Sequence, residues 1–225
     1  YHFRAVAQNS GGTSYGADST FTAAWTDDFS DFPSTPHWAL LLERTNHIQS
    51  STEHFVSSPN GVKITVDSYG LYEAKHAMNR VSDVVEVSCK VYFQHITLSP
   101  ASLEIFGLKV AEGENVTSIL ASVSQESTDP PGSSFWSITV GHRGGYGTSH
   151  GLTGPSLNTW YNVKLRYEVG SSISLFVDDV LVKQWNPWHS GLLAPNNVWG
   201  LMLGFDHQPF GRGVFFLDDL EATGF

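Results

Sequence analysis

Three groups of residues have the types and spacing to do chemistry. Two acidic pairs sit near opposite ends of the chain, Asp27-Asp28 and Asp218-Asp219. Paired carboxylates supply charge to a hard cation such as calcium, which takes about six to eight oxygen ligands and accepts carbonyls for the rest. The alternative is that one Asp of each pair is a solvated strand-end residue. A third pair, Asp178-Asp179, reads as a hairpin turn. The second group is aromatic: Trp136, Tyr146, Trp185, Trp188, Trp199 and Phe205. Flat rings stack on the apolar faces of pyranoses, and neighbouring polar groups bond their hydroxyls. Tyr146 lies in Gly144-Gly145-Tyr146-Gly147 and Trp136 follows Ser133-Ser134-Phe135, whereas Trp185 and Trp188 bracket Asn186-Pro187. Trp188, with His189 beside it, is the best placed for exposure, and Trp160 at a strand start reads as core. Any of these rings could instead fill a core. The third group is His142, His150, His189 and His207, in Gly-rich surroundings, of the ten histidines in the chain. They suit metal binding or proton transfer, or plain surface hydrogen bonding. Gly141-His142-Arg143-Gly144-Gly145-Tyr146 is the densest polar-aromatic turn. The candidate ligand-binding set is therefore Trp136, His142, Arg143, Tyr146, Trp185, Trp188 and His189.

A catalytic pattern is harder to find. Glycoside hydrolysis needs two facing carboxylates about 5–9.5 Å apart, and no Ser sits in a G-x-S-x-G elbow. Glu73 with His76, or Glu86 with Lys90 and Tyr92, read as satisfied surface pairs. Cys89 falls on the inward face of its strand, as a buried, inert thiol. Asn115-Val116-Thr117 fits the glycosylation acceptor pattern.

The elements that must position these residues alternate with period two. Val85, Val87, Cys89, Val91 and Phe93 lie on one face of Val84–Gln94, opposite Glu86, Ser88, Lys90, Tyr92 and Gln94. Trp160–Val169 repeats the pattern, which is that of strands with one buried and one wet face. Further strands are expected at Val62–Val66, Leu71–Lys75, Leu103–Val110, Thr117–Ser124, Phe135–Gly141, Ile173–Val177, Val180–Trp185, Val198–Phe205 and Val214–Ala222. Pro59-Asn60-Gly61, Asp129-Pro130-Pro131-Gly132 and Gly144-Gly145 supply turns. No stretch carries a long helical period. The expectation is all-β, with two packed sheets.

Composition narrows the function classes. The 225 residues carry a net charge of −10 with only 15% charged residues, against roughly 25% in an average soluble protein. An acidic chain without a basic stripe argues against nucleic acid and anionic membrane as partners. No apolar run approaches the ~18 residues of a transmembrane helix, and no signal peptide begins the chain. An exported protein would have lost its signal or carry it upstream. One cysteine excludes an internal disulfide framework.

A boundary is visible near Ala23. Before it, Tyr1-His2-Phe3-Arg4-Ala5-Val6-Ala7 and Ser19-Thr20-Phe21-Thr22 flank Asn9-Ser10-Gly11-Gly12-Thr13. This resembles the closing hairpin of a fibronectin type III domain. A lone hairpin is marginal in water, so residues 1–23 are expected to pack on the main domain or on a neighbouring chain. Residues 24–225 resemble the concanavalin A-like jelly-roll superfamily in its laminin-G-like branch. The likeness rests on Asp27-Asp28-Phe29-Ser30 followed by Trp38, on Trp160–Tyr167 with Ile173–Val182, and on Val214-Phe215-Phe216-Leu217-Asp218-Asp219-Leu220-Glu221. It implies a two-sheet antiparallel jelly-roll sandwich. It also implies that the first and last strands lie side by side, where Asp27 or Asp28 with Asp218 or Asp219 would hold a structural calcium.

The superfamily's glycosidases carry E-x-D-x-E, and its alginate-type lyases R-x-E-x-R, Q-x-H and Y-x-K-x-G. The first is absent here, and Tyr92-Phe93-Gln94-His95 matches the lyase strands only in fragments. The expectation is thus a non-catalytic carbohydrate-binding module of a larger extracellular protein, secreted or at the cell surface. Its partners would be a polysaccharide and other domains of the same polypeptide. One rival is a structural or adhesion subunit of a surface layer or filament that exchanges strands through its N-terminal hairpin. The other is a polysaccharide lyase or hydrolase with an atypical site.

Overall fold

The computed structural model describes residues 2–4, 6–17, 19–20, 24–33, 38–42, 47–57, 59–67, 72–98, 101–110, 116–125, 130, 133–142, 145–186, 198–205 and 211–225. Its described elements are all strands. A small N-terminal group comprises β1 (His2–Phe3), β2 (Val6–Asn9), β3 (Gly12–Tyr15) and β4 (Ser19–Thr20). There follow β5 (Trp25–Asp27), β6 (Ala39–Leu42), β7 (Ile48–Ser51), β8 (Gly61–Val66), β9 (Tyr72–Ala77), β10 (Val84–Thr97), β11 (Ala101–Val110) and β12 (Val116–Gln125). The chain continues with β13 (Phe135–His142), β14 (Gly145–Thr153), β15 (Trp160–Glu168), β16 (Ser172–Val177), β17 (Val180–Trp185), β18 (Val198–Phe205) and β19 (Arg212–Thr223).

Two antiparallel sheets form the body. One is eight-stranded, ordered β17-β16-β15-β10-β19-β8-β7, with β5 pairing the far half of β19. The other is seven-stranded, ordered β14-β13-β12-β11-β18-β9-β6. Alternation decides what each strand buries. Val85, Val87, Cys89, Val91 and Phe93 of β10 and Val163, Leu165 and Tyr167 of β15 are fully enclosed, and their alternates are half-buried or open. They meet Leu103, Phe106 and Leu108 of β11, Ile119 and Val123 of β12, and Trp136 and Ile138 of β13 in one core between the sheets. Burial of apolar area at roughly 25 cal/mol per Å² holds the layers together. Asp178 and Asp179 close the β16–β17 hairpin, both in the left-handed region at φ 49° and 63°, as a primed two-residue turn requires.

The segment around Gly145 departs from expectation. It is the beginning of strand β14, paired along β13, rather than a loop. Its Gly, Ser, Thr and His residues hide the strand because bulk is excluded from its inner face. A Cβ on Gly147 would come within 3.0 Å of the Trp185 ring, and one on Gly151 within 2.7 Å of the Val182 carbonyl. In the N-terminal group β1 pairs with β4 and β2 with β3. Every residue of β2 and β3 is exposed, with Val6 and Tyr15 more than half open. Their described side-chain contact is local, the Arg4 guanidinium lying 4.1 Å over the Tyr15 ring.

Candidate functional site

Strands β5 and β19 run side by side, with Asp27 opposite Leu220 and Trp25 opposite Ala222. Between them and the following turn opens a cleft of about 640 Å³, lined by Trp25, Thr26, Asp27, Asp28, Ser30, Asp31, Asp219, Leu220 and Glu221. The four expected calcium ligands are not equivalent there. Asp27 is spent on the fold: Phe29 N–H donates to its Oδ1 and Trp38 Nε1–H to its Oδ2, each at 2.7 Å. Those bonds anchor the Phe29, Phe32 and Trp38 rings, whose centroids lie about 6 Å apart. Asp218 is spent as well. Alternation along β19 puts Asp218 on the outer side of its sheet, opposite Lys90, and the register shift that follows, with Asp219 at φ 49°, returns Leu220 to the core. Its Oδ2 accepts from Val56 and Ser57 N–H at 2.6 and 3.1 Å, and its Oδ1 from Asp219 N–H at 2.9 Å.

Burial pushes the Asp218 carboxyl above its ordinary value against those three N–H groups. Asp28 behaves oppositely: the Ser30 N–H, donating at 3.0 Å, holds its carboxyl below the usual range. Asp219 accepts from the Ser57 hydroxyl. The Ser30 hydroxyl bonds the Asp28 carboxylate as well; Asp28 and Asp219 both lie on the wall of the cleft. Among the described residues no three His, Cys, Asp or Glu side chains converge as a metal-binding cluster.

A second polar region lies on the outer face of the seven-stranded sheet. Ladder pairing places Glu104, Ser122, Ser137 and His150 in successive strands β11 to β14, and Thr139 opposite Thr148 one step along. These side chains point away from the core, yet Ser118, Ser122, Ser124, Ser137, Thr139 and Glu104 are no more than 2% exposed. Enclosed hydroxyls must bond to one another or forfeit hydration; those of Ser122, Ser124, Ser137 and Thr139 do, whereas Ser118 Oγ has no hydrogen-bond partner among the described residues. Ser122 Oγ meets Ser137 O, Ser137 Oγ and Thr139 Oγ1 at 3.1, 2.9 and 2.8 Å. Ser124 Oγ donates to Ser137 Oγ at 2.8 Å and lies 3.5 Å from His150 Nε2. Further across, Glu73 takes Lys75 Nζ at 3.0 Å and Lys109 Nζ at 3.2 Å. The half-buried members Lys75, Lys109, Thr148 and His150 carry this polarity to the surface. Sequence reasoning missed the array because serines at alternate positions of β12 read as an ordinary wet face; only the density of hydroxyls on three neighbouring strands marks it.

Of the expected ligand-binding set, the described side chains are those of Trp136 and Trp185. Trp136 is 3% exposed and packs edge-on to Phe93 and Tyr161 at 5.7 and 5.5 Å, so its ring belongs to the core. Its place in the inward alternation of β13 decides this. Trp185 is half-buried at the end of β17, covering Gly147 of the opposite sheet. It is therefore an edge plug between layers. The backbones of His142 and Tyr146 pair with Gly145 and Gly141 at the start of the β13–β14 ladder. Arg143, Trp188 and His189 lie outside the described residues. Trp160 corrects the opposite way: it is half-buried on the outer face of the eight-stranded sheet, 5.4 Å from Tyr92, which His54 covers at 4.2 Å.

No family model matches the chain, and no curated protein matches it. Solved structures do. The cellulose-induced protein Cip1 superposes with a TM-score of 0.64 at 12% identity, over 89% of this chain and 97% of its own. The alginate lyase Aly36B gives 0.59 at 9% identity, over 90% and 97%. The globular domain of T. cruzi calreticulin gives 0.57 at 14%, over 89% and 88%. Identities this low carry the architecture alone. With the strand order above, they make the body of the chain a concanavalin A-like jelly-roll sandwich.

Proposed function

We propose that the chain is a non-catalytic polysaccharide-binding module of a larger extracellular protein, with the glycan held on the outer face of the seven-stranded sheet. The observation that carries this reading is the enclosed hydroxyl array, with Thr148, His150, Lys75 and Lys109 at its accessible edge. Buried serines fix one another's rotamers, so the edge groups meet a sugar's hydroxyls with little ordering left to do. The carbohydrate-related names among the fold's neighbours, a cellulose-induced protein and an alginate lyase, support the same substrate class. Affinity electrophoresis against a panel of polysaccharides, with the gels assayed for released products, tests it. Retardation without products is expected. No retardation by any polymer would overturn the reading, and products would favour the second one, a lyase or hydrolase drawing on Glu73, Lys75, Lys109 and His150 of that face.

Calcium belongs to this proposal in a narrowed form. With Asp27 and Asp218 engaged by N–H donors, Asp28 and Asp219 are the carboxylates that would hold the ion, with Ser57 and backbone carbonyls completing an all-oxygen set suited to a hard cation. It would clamp the first strand to the last and take no part in chemistry. A chelator is then expected to lower the melting temperature of the wild type and not of Asp219→Asn. Equal melting with and without chelator would remove calcium from the account. Residues 1–23 are proposed as the closing hairpin of a fibronectin type III unit, joined to the module at Ala24; limited proteolysis that trims the chain there and leaves the module folded would support it.

A further inference from the structure

Where β15 begins, the charged outward residues of the eight-stranded sheet give way to rings. Ladder pairing sets Phe216 of β19, Tyr92 of β10 and Trp160 of β15 side by side on the outer face. The Tyr92 ring lies 6.0 Å from that of Phe216 and 5.4 Å from that of Trp160. His54, from the segment that covers Asp218, stacks on Tyr92 at 4.2 Å and meets Phe216 edge-on at 4.6 Å. Phe216 is fully enclosed, whereas Tyr92 and Trp160 are half-buried. The row is covered at one end and reaches solvent at the other.

The solvent end is held by its own turn. Asn158, in the left-handed region at φ 60°, ties the approach to β15 onto β10 through its N–H on Phe93 O at 2.8 Å. Its Oδ1 accepts from the Tyr92 hydroxyl at 3.1 Å, and its N–H₂ is left over as a donor. Trp160 has one ring neighbour among the described residues, Tyr92, tilted at 49°, and no described group accepts its indole N–H. One outward step along both strands, Lys90 and Asn162 stand directly opposite each other. Neither side chain has a hydrogen-bond or ion-pair partner among the described residues. Asp218, across from Lys90 on the other side, is taken by the Val56, Ser57 and Asp219 N–H groups.

Tyr92, Trp160, Lys90 and Asn162 therefore make a block of four outward positions on two paired strands, about 5 Å across and 7 Å along. Rings occupy one half and polar heads the other, on strands, which position a site more firmly than loops do. A pyranose follows the same plan, a C–H face with hydroxyls round its rim. A protein partner would need roughly 800 Å² with charge kept from the centre, and here an ammonium and an amide are the next outward positions after the rings. We propose that this block binds one pyranose unit of a glycan, its C–H face on Trp160 and its hydroxyls bonded by Lys90, Asn162 and the Asn158 amide. The site lies on the opposite sheet from the hydroxyl array and is independent of it.

The test is an NMR titration of the full chain with cellotetraose, xylotetraose and mannotetraose. At least one is expected to shift the Trp160 indole N–H and the amides of Tyr92, Asn158 and Asn162 saturably, with a dissociation constant on the order of millimolar for so shallow a site. Trp160→Ala should weaken binding about tenfold, and Trp160→Phe, which keeps a flat ring, only a few-fold. Lys90→Met keeps the aliphatic stem and should weaken binding about threefold through one lost hydrogen bond; it keeps the test open if Trp160→Ala does not fold. No shift at these residues with any of the three sugars, or equal binding by the variants and the wild type, would overturn the site. So would shifts of the same resonances that follow protein concentration and not sugar, which would make this face an interface between copies. Shifts confined to Ser122, Ser137 and Thr148 would keep the proposed module and overturn this site. Shifts confined to Trp160 and its neighbours would support this site and overturn the hydroxyl array as the binding face.

Discussion

The outer faces of the two sheets occupy the same position in the sandwich and are built on opposite rules. On the eight-stranded sheet, Glu86, Lys90, Lys164, Arg166 and Glu168 point outward and are half-buried, and their pairings are loose: Arg166, 38% exposed, lies 3.4 Å from Glu86 and 3.1 Å from Glu168. On the seven-stranded sheet the corresponding positions of the pleat hold Glu104, Ser122, Ser137 and Thr139, each 2% exposed or less. Water hydrates the first face, so its residues can change at little cost. The second has lost most of its water, so Ser122, Ser124, Ser137 and Thr139 depend on one another for their hydrogen bonds. Identical alternation in sequence thus yields one tolerant face and one that is rigid and specific.

The ion cluster on the enclosed face gives the largest expected contrast. Glu73, its side chain 6% exposed, sits between Lys75 and Lys109, which are 19% and 11% exposed. Glu73→Gln leaves two ammonium groups without their carboxylate in a poorly hydrated place and should cost about 3 kcal/mol. The urea midpoint is the readout, against Glu86→Gln on the solvated face. Equal midpoints for the two variants would break the comparison.

Asp218 sharpens it from the other side. It belongs to the solvated sheet but is fully enclosed beneath the 53–57 segment. Asp218→Asn would offer an N–H₂ to backbone N–H donors and should cost roughly 2 kcal/mol near neutrality. The pH dependence carries a sign. The folded carboxyl titrates above its unfolded counterpart, so between those two values the native state holds more protons than the unfolded one. Stability from this group therefore rises as pH falls through the folded value, and the rise is complete below the unfolded value. Melting curves should show the wild type gaining on Asp218→Asn with acidification; a constant gap would mean that burial is not what perturbs the carboxyl.

Much of this was legible in the residues, and the parts that were not share a cause. Period-two alternation located β10, β15, β17 and β18 to within a few residues, because a one-sided core imposes it. Asp178-Asp179 announced its turn by composition. Strand β14 stayed hidden because its inner positions are glycine, a demand made by Trp185 and Val182 from another sheet. Trp136 looked like a ligand platform from its Ser-rich approach, yet strand phase sends it inward. The four aspartates stand out together in the sequence, but which had oxygens to spare was decided by Trp38, Val56 and Ser57, distant in sequence. The hydroxyl array escaped because serine carries no marker of whether its face is wet. For the glycines, the aspartates and the serines alike, the missing information was a partner distant in sequence.

Within the enclosed face, Ser122 is the hub, and Ser122→Ala should cost about 1 kcal/mol because Ser137 and Thr139 each keep another partner. Its larger effect should fall on polymer retention, since the array's edge groups would lose a fixed support. Retention lost with the melting temperature nearly kept is the expected pattern.

The smallest effect is expected where the charges are most numerous. Arg166→Met on the solvated sheet removes both partners of Glu86 and Glu168 at once. The aliphatic stem that covers the sheet is retained in part by methionine, and the two carboxylates regain water. Exposed pairs of this kind contribute about 0–1 kcal/mol, and what they contribute should fade as salt shortens the screening length. Two melting temperatures, at low and at high salt, are enough. If the variant differs from wild type only at low salt, the face behaves as solvated charge. A loss that persists at high salt would mean that Arg166 Nε, which is buried without a hydrogen-bond partner, is held by packing, and the line between the two faces would have to be redrawn around it.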